Sequence, residues 1–236
     1  MENQSIYKEE MEVRMATAFP ALMRKVYNWM ALALVVTGLT AYYVANSQTL
    51  LEAIVGNSIL FYGLIIAELG LVWYLSARIM KISFATAGIM FTIYSILNGI
   101  TMSFIFLVYT SSSIATVFFI TAGMFAAMSL VGYFTKADLT GFGKFLLMAL
   151  IGLIIATVVN MFLKSGTMSL IISYIGVLIF VGLTAYDTQK IKNMLMLHGH
   201  EVNDETQKLA LMGSLSLYLD FINLFLYLLR IFGGRR

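Results

Sequence analysis

The chain has 236 residues, of which 60% are hydrophobic and only 11% are charged, and its mean hydropathy is +0.88. An average soluble domain carries about 25% charged residues, so this composition excludes a soluble core of this size and predicts a helical protein that crosses a membrane several times. The absence of cysteine excludes disulfide bonds and cysteine-ligated metal centres. The net charge of +3 is assigned to loops beside lipid headgroups, and no nucleic acid partner is expected.

Seven apolar runs follow one another along the chain, separated by short polar breaks. A membrane-spanning helix needs about 20 residues, and no segment alternates polar and apolar residues as the strands of a membrane β-barrel do. We therefore predict an all-α integral membrane protein with a polar cytoplasmic segment at 1–25, a seven-helix transmembrane domain at 26–232 and a short basic tail at 233–236. The apolar runs lie near 26–44, 54–75, 82–108, 112–134, 143–163, 168–189 and 209–232.

The distribution of Lys and Arg among the polar segments predicts the orientation. If the N-terminus is inside, eleven basic residues before the last run fall on the cytoplasmic side and only Lys164 falls outside. Cytoplasmic loops carry the excess of basic residues in membrane proteins, so we expect a cytoplasmic N-terminus in a cell membrane, plasma or inner. The eleven are Lys8, Arg14, Arg24, Lys25, Arg78, Lys81, Lys136, Lys144, Lys190, Lys192 and Lys208.

The second apolar run contains Glu68 near its middle and Arg78 at its cytoplasmic end. Charged residues inside a span usually face a protein interior or a water-filled path, which favours a place on an ion pathway for Glu68. Arg78 has two interpretations, an anchor at the membrane boundary or an ion-pair partner for an acid at the same depth, such as Asp187. The residues leave both open.

Asp187 lies close to the cytoplasmic end of the sixth run. Its carboxylate could reach headgroup water at that boundary, or it could turn into the bundle with the small and polar side chains that share its face. That second interpretation gains weight because the last run has a similar face. At helical spacing, the face in the sixth run comprises Ser169, Ser173, Gly176, Phe180, Thr184 and Asp187.

Asp220 lies in the last run, among small and polar residues that we expect to face the bundle interior. Packing between helices explains glycine and serine on such a face, but it does not explain a carboxylate. Residues 217–232 alone span about 24 Å of a core about 30 Å thick, which would suit a re-entrant or half-buried helix. We nevertheless favour a full crossing that begins near Leu209. The polar face comprises Gly213, Ser216, Asp220, Asn223, Tyr227 and Arg230, and the opposite side comprises Leu219, Phe221, Ile222, Leu226 and Leu229.

Four stretches of the chain resemble signature segments of the transmembrane Bax inhibitor motif family, and the resemblance extends from about residue 20 onward. It implies a seven-helix fold with six helices around a central C-terminal helix, and a pH-sensitive calcium leak. The family's paired aspartates fall on Asp187 and Asp220, its second-helix acid on Glu68, and its latching arginine on Arg78. The stretches are SLSLYLDFINLFLYLLRIFG at 214–233, GLTAYDTQKIK at 182–192, NGIT at 98–101 and TKADLTGFGKFL at 135–146.

A pair of carboxyl groups suits the binding of both protons and calcium. Ca²⁺ takes several oxygen ligands, and two interacting carboxyl groups titrate as a coupled pair. We therefore expect Asp187 and Asp220 to form a pH sensor and gate that contacts the transported calcium ion, with Asn223 as a further candidate on the pathway. No resident cofactor is expected; the lipid bilayer, calcium and protons are the expected partners.

Two other functions are alternatives to a channel. A regulatory protein that binds a membrane protease or a cell-death protein would depend more on its loops and N-terminal segment than on Asp187. A proton-coupled transporter also uses carboxylate pairs, although the sequence shows no repeat or pair of half-helices. An enzyme is not expected, since neither aspartate follows a Gly-x-Gly sequence and neither Gly-x-Ser-x-Gly nor His-Glu-x-x-His occurs.

Overall fold

A computed structural model provides the fold. It describes the backbone of residues 2–199 and 201–235, and the side chains in these ranges from residue 17 onward apart from Val55. The predicted cytoplasmic segment at 1–25, with Lys8 and Arg14, therefore has most of its side chains outside the described residues. The α-helices in the described ranges are α1 (Glu2–Ala45), α2 (Gln48–Val55), α3 (Ser58–Arg78), α4 (Phe84–Met102), α5 (Ile105–Val108), α6 (Ser111–Phe134), α7 (Thr140–Leu163), α8 (Gly166–His198) and α9 (Asp204–Phe232).

Within the described ranges, seven helical segments are long and apolar enough to cross a membrane. This confirms the predicted all-α multi-pass fold, in which hydrogen bonds within each helix satisfy the backbone in lipid. Large apolar side chains on the surface fit this assignment, for example Trp73 at 73% exposure and Phe162 at 83%. The seven segments are Thr17–Ala45, Ser58–Lys81, Phe84–Val108, Ser111–Phe134, Thr140–Leu163, Gly166–His198 and Asp204–Phe232.

The polar segment predicted at 190–208 is mostly helical instead. The helix α8 continues to His198, and α9 begins at Asp204. The extension is stabilised by Ile191 and Leu195, which lie one turn apart on the same face and are 3% and 0% exposed. Two buried apolar side chains at this spacing outweigh the polar residues between them, so the true connection is only a few residues long.

The third predicted run is interrupted near Ser103, although the run as a whole is apolar enough to form one span. The helix α4 ends at Met102, and the separate turn α5 begins at Ile105. Ser103 tightens the chain at this point, because its backbone N–H bonds to the carbonyl of Ile100 at 3.2 Å and its hydroxyl donates to the same carbonyl at 2.7 Å. Local bonding by a serine side chain competes with the helix ladder and explains the break.

The helices form two compact units. The first comprises Met1–Phe104 and Ile191–Leu215, and the second comprises Ile105–Lys190 and Ser216–Arg236. In the first unit, α1 packs against α4, where the hydroxyl of Thr37 donates to the carbonyl of Ser95 at 3.0 Å. The helices α8 and α9 each contribute one part to each unit.

The helix α9 is the most buried of the seven candidate spans, because 67% of its most apolar stretch is buried inside the protein. Its apolar side is covered as well as its polar face, since Phe221 is 3% exposed and Leu229 is 1% exposed. We expected the polar face of this helix to turn inward, and the structure buries the apolar side as well. Burial on both sides agrees with a central C-terminal helix, and the continuous helix of 29 residues is long enough for a full crossing.

Candidate functional site

Asp187 on α8 and Asp220 on α9 lie together in the second unit. Their carboxyl groups hydrogen-bond to each other. A carboxylate has no proton to donate, so such a bond forms only when one of the two groups is protonated. The arrangement is therefore suited to two acids that share one proton.

The two acids differ in burial. Asp187 is half-buried, whereas Asp220 is only 5% exposed. The Oδ2 atom of Asp220 is fully buried and has no hydrogen-bond partner among the described residues. Buried polar atoms are nearly always paired, and an exception in a native protein calls for an explanation. An unpaired carboxyl oxygen in this position is a ligand available to a proton or a cation.

Lys190 is the charged residue that the sequence interpretation missed at this site. It follows Asp187 by three residues on α8, so the two side chains share a face. Its charge acts on both carboxyl groups, and its ammonium lies 5.9 Å from the centre of the Tyr186 ring. The spacing was the available signal, but Lys190 had been assigned only to membrane orientation.

Two glycines bring neighbouring helices against the segment that carries Asp187. A Cβ at Gly132 of α6 would lie 2.1 Å from the carbonyl oxygen of Ala185, and a Cβ at Gly143 of α7 would lie 2.4 Å from the Tyr186 ring. Only glycine permits such close approach, which is the usual role of small residues between membrane helices. Asp187 is thereby held on a rigidly packed turn of α8.

Gln189 ties the same turn to the connection between α6 and α7. Its side-chain oxygen accepts the N–H of Leu139 at 2.8 Å, and its amide donates to the carbonyl of Ala137 at 2.7 Å. Its neighbour Thr188 shares a 3.1 Å hydrogen bond with Ser129 of α6. Two of the stretches that carry the family resemblance, at 135–146 and 182–192, are therefore joined through one side chain.

The variant Gln189→Ala is expected to loosen this connection. It removes two hydrogen bonds, one to the half-buried N–H of Leu139 and one to the carbonyl of the exposed Ala137, each worth about 0.5–1.5 kcal/mol. Hydrogen exchange of the Leu139 amide measures the change, and we expect faster exchange there than in wild type. Unchanged exchange at Leu139 in the variant would show that Gln189 does not hold the connection.

Asp138 lies in the same connection but outside the spans. Its Oδ1 accepts the N–H of Thr140 at 2.9 Å. Hydrogen bonds from Thr140 hold the pKa of the Asp138 carboxyl below its ordinary value, with a smaller contribution from the charge of Lys144. The group thus stays ionised throughout the neutral range, which makes it a suitable control for the titration of other acids.

Asn223 is placed three residues after Asp220 on α9 and is half-buried. Its side-chain amide donates to the carbonyl of Leu219 at 2.8 Å, one turn earlier in the same helix. On the same face, Tyr227 stacks on Phe180 with ring centres 5.9 Å apart, and Arg230 lies 5.6 Å from the Tyr227 ring. The polar face thus continues from the acid pair as a packed row of side chains.

The two remaining predicted residues belong to the first unit. The hydroxyl of Thr101 donates to the Glu68 carboxylate at 2.7 Å, and the charge of Glu68 acts on the buried Tyr94. Arg78 is exposed at the end of α3. Thr101 is the last residue of the NGIT stretch, so this hydrogen bond connects that stretch to Glu68. The latch between Arg78 and an aspartate stays a prediction.

The carboxyl pair has the chemistry of a partial calcium site. Among the described residues, no group of three or more His, Cys, Asp or Glu side chains is arranged to hold a metal ion. Two carboxyl groups offer four oxygens, so a Ca²⁺ ion at the pair would complete its shell with backbone carbonyls or water.

Comparison with known proteins identifies the family. The family model described as "Inhibitor of apoptosis-promoting Bax1" matches residues 20–236. The chain is 53% identical over 218 residues to the Inner membrane protein YbhL of Escherichia coli K12, covering 91% of this chain and 92% of that protein. It is also 48% identical to the uncharacterized protein RP147 of Rickettsia prowazekii, over 91% of this chain and 89% of that one.

The chain is also similar to a more distant relative from a different bacterium. An uncharacterized membrane protein of Streptococcus pyogenes serotype M1 is 40% identical over 211 residues, which cover 89% of this chain and 90% of that protein. The chain is therefore a multi-pass integral membrane protein that belongs to the Bax inhibitor motif family.

Proposed function

We propose that the protein is a pH-sensitive calcium leak channel in which Asp187 and Asp220 bind protons and Ca²⁺ in competition. The observation that carries this proposal is the hydrogen-bonded carboxyl pair with the buried and unpaired Oδ2 of Asp220. A pair held only for packing would not need two acids. Intramembrane acids that face each other are typical of ion and proton pathways.

The mechanism follows from the charge of the pair. With one shared proton, the hydrogen bond joins α8 to α9 and one negative charge remains beside Lys190. Loss of that proton removes the bond and leaves two like charges that repel each other in a low dielectric. A Ca²⁺ ion can then bridge the two carboxylates. Protons and Ca²⁺ compete for the same oxygens, so Ca²⁺ binding weakens as the pH falls.

We place the N-terminus in the cytoplasm on the distribution of Lys and Arg, and the protein in the inner membrane by analogy with the name of its Escherichia coli relative. The pair is assigned to ion passage and not to catalysis. Neither aspartate has the sequence context of an intramembrane protease.

Calcium flux into vesicles tests this function. The purified full-length protein is reconstituted around a trapped Ca²⁺ indicator, and flux is recorded from roughly pH 6 to pH 8, on both sides of neutrality. We expect flux above that of empty vesicles, with a marked dependence on pH. Asp138→Asn, which alters an exposed acid outside the spans, is expected to behave as wild type.

The alternative functions give different results in the same assay. Flux no greater than that of empty vesicles at every pH would contradict the channel proposal and favour a protein that acts by binding a membrane partner. Uptake that requires an imposed proton gradient and stops when the gradient dissipates would favour a proton-coupled transporter.

A further inference from the structure

A groove between α1 and α4 in the first unit is separate from the acid pair. Its volume is about 350 Å³, and its lining includes Trp29 on α1 together with Phe84, Gly88 and Ile93 on α4. The groove follows α4 from its first residue to Ile93, about 14 Å at the rise of a helix. A groove of this length can hold part of one lipid acyl chain.

The walls of the groove are apolar. The Trp29 ring packs edge-on against Phe84 with centres 5.8 Å apart, and it lies so close to Gly88 that a Cβ there would be 3.0 Å away. The lining has one hydroxyl within the helix, that of Thr92, and it donates to the carbonyl of Gly88 at 2.9 Å. The wall therefore suits a hydrocarbon chain better than a polar ligand.

The mouth of the groove carries a positive charge. Lys25 lies directly before the apolar run of α1, and its ammonium is 5.9 Å from the centre of the Phe84 ring and hydrogen-bonds to Gln207. At this end of α4, the carboxylate of Asp204 accepts the N–H of Phe84 at 3.2 Å and forms an ion pair with Lys208 at 3.0 Å. The charge of Asp204 is thus balanced by Lys208, and Lys25 adds a positive charge beside Phe84.

We propose that this groove binds an anionic phospholipid, with one acyl chain along Trp29 and α4 and the phosphate at Lys25. The combination of a basic residue at the membrane boundary and an apolar groove between helices matches the chemistry of such a lipid. A zwitterionic lipid fits the apolar walls equally well, but its headgroup has no net negative charge to balance the charge of Lys25. The site does not depend on the proposed calcium flux.

The two tryptophans of the chain allow a direct test. Trp73 is 73% exposed on α3, so Trp73→Phe leaves Trp29 in the groove as the single fluorescent reporter, and Trp29→Phe leaves Trp73 on the outer surface. The full-length variants are placed in vesicles that contain phosphatidylglycerol or phosphatidylcholine with brominated acyl chains. Quenching of tryptophan by bromine reports which lipid occupies the site.

We expect brominated phosphatidylglycerol to compete for the Trp29 site about fivefold better than brominated phosphatidylcholine, the effect of roughly one lysine near an anionic lipid. Lys25→Gln should abolish this preference, whereas Lys25→Arg should keep it. Lys144→Gln, an exposed lysine of the second unit, should also keep it. At Trp73 the two lipids should quench equally.

Two results would overturn the proposal. Equal quenching of Trp29 by the two lipids would mean that the groove takes bulk lipid without regard to charge. A preference that persists in Lys25→Gln would mean that another group selects the lipid. High salt is expected to reduce the preference in the wild-type background, because Lys25 acts by charge near the water interface.

Discussion

Asp220→Asn is expected to abolish the pH dependence of calcium flux while the protein stays folded. The amide has almost the volume of the carboxyl group, so the packing around α9 is kept. It can still donate a hydrogen bond to Asp187, but it can neither lose a proton nor carry a charge. The ratio of flux at roughly pH 8 to flux at pH 6 should fall to about one, whatever its value in wild type.

Thermal unfolding in detergent separates this loss of response from a loss of structure. Asp220 is 5% exposed and has an unpaired oxygen, which is an unfavourable arrangement for stability. Its replacement by a neutral side chain should therefore change the unfolding free energy by no more than about 1 kcal/mol. Asp187→Asn should also lose the pH response, and Asp138→Asn should retain it. Full pH dependence of flux in both Asp187→Asn and Asp220→Asn would show that the pair does not take part in the mechanism.

Gly132→Ala is expected to give the largest loss of stability from a single methyl group. The added Cβ would lie 2.1 Å from the carbonyl oxygen of Ala185 and 2.8 Å from its carbonyl carbon. These are backbone atoms, so no side-chain rotation can relieve the clash and α6 must move away from α8. Overpacking of a tight core costs about 1–3 kcal/mol, and the displaced segment carries Asp187.

Gly123→Ala is the matched control for that variant. It makes the same substitution in the same helix, but no atom lies within 4 Å of a Cβ at Gly123. Alanine in an open helical position favours the helix by up to about 1 kcal/mol over glycine. Thermal unfolding should therefore show a clear decrease for Gly132→Ala and no decrease for Gly123→Ala. Equal melting temperatures for the two variants would contradict the close packing of α6 on α8.

The sequence was sufficient to predict the helical spans, because a long apolar segment in lipid has few alternatives to a helix. It was not sufficient to locate their ends. Burial of Ile191 and Leu195 extends α8 well past the predicted boundary, and local bonding by Ser103 divides the third run. Both effects depend on contacts with neighbouring atoms and not on hydropathy.

The acid pair shows a similar limit at the site. Its residues could be named from their positions in apolar runs, but the depth of Asp220 relative to Asp187 depends on where α9 begins. The structure starts that helix at Asp204 and places the two carboxyl groups in contact. The surrounding features were not predicted, because an exposed Lys190 and a bridging Gln189 resemble ordinary residues at a helix end.

We expect Ca²⁺ to displace the proton that Asp187 and Asp220 share. Infrared difference spectroscopy measures this directly, because a protonated carboxyl group has a C=O band that a carboxylate lacks. Addition of Ca²⁺ at constant pH should remove such a band in wild type and in Asp138→Asn, but not in Asp187→Asn or Asp220→Asn. Loss of the same band in Asp220→Asn, or no loss in wild type despite calcium flux, would contradict the account.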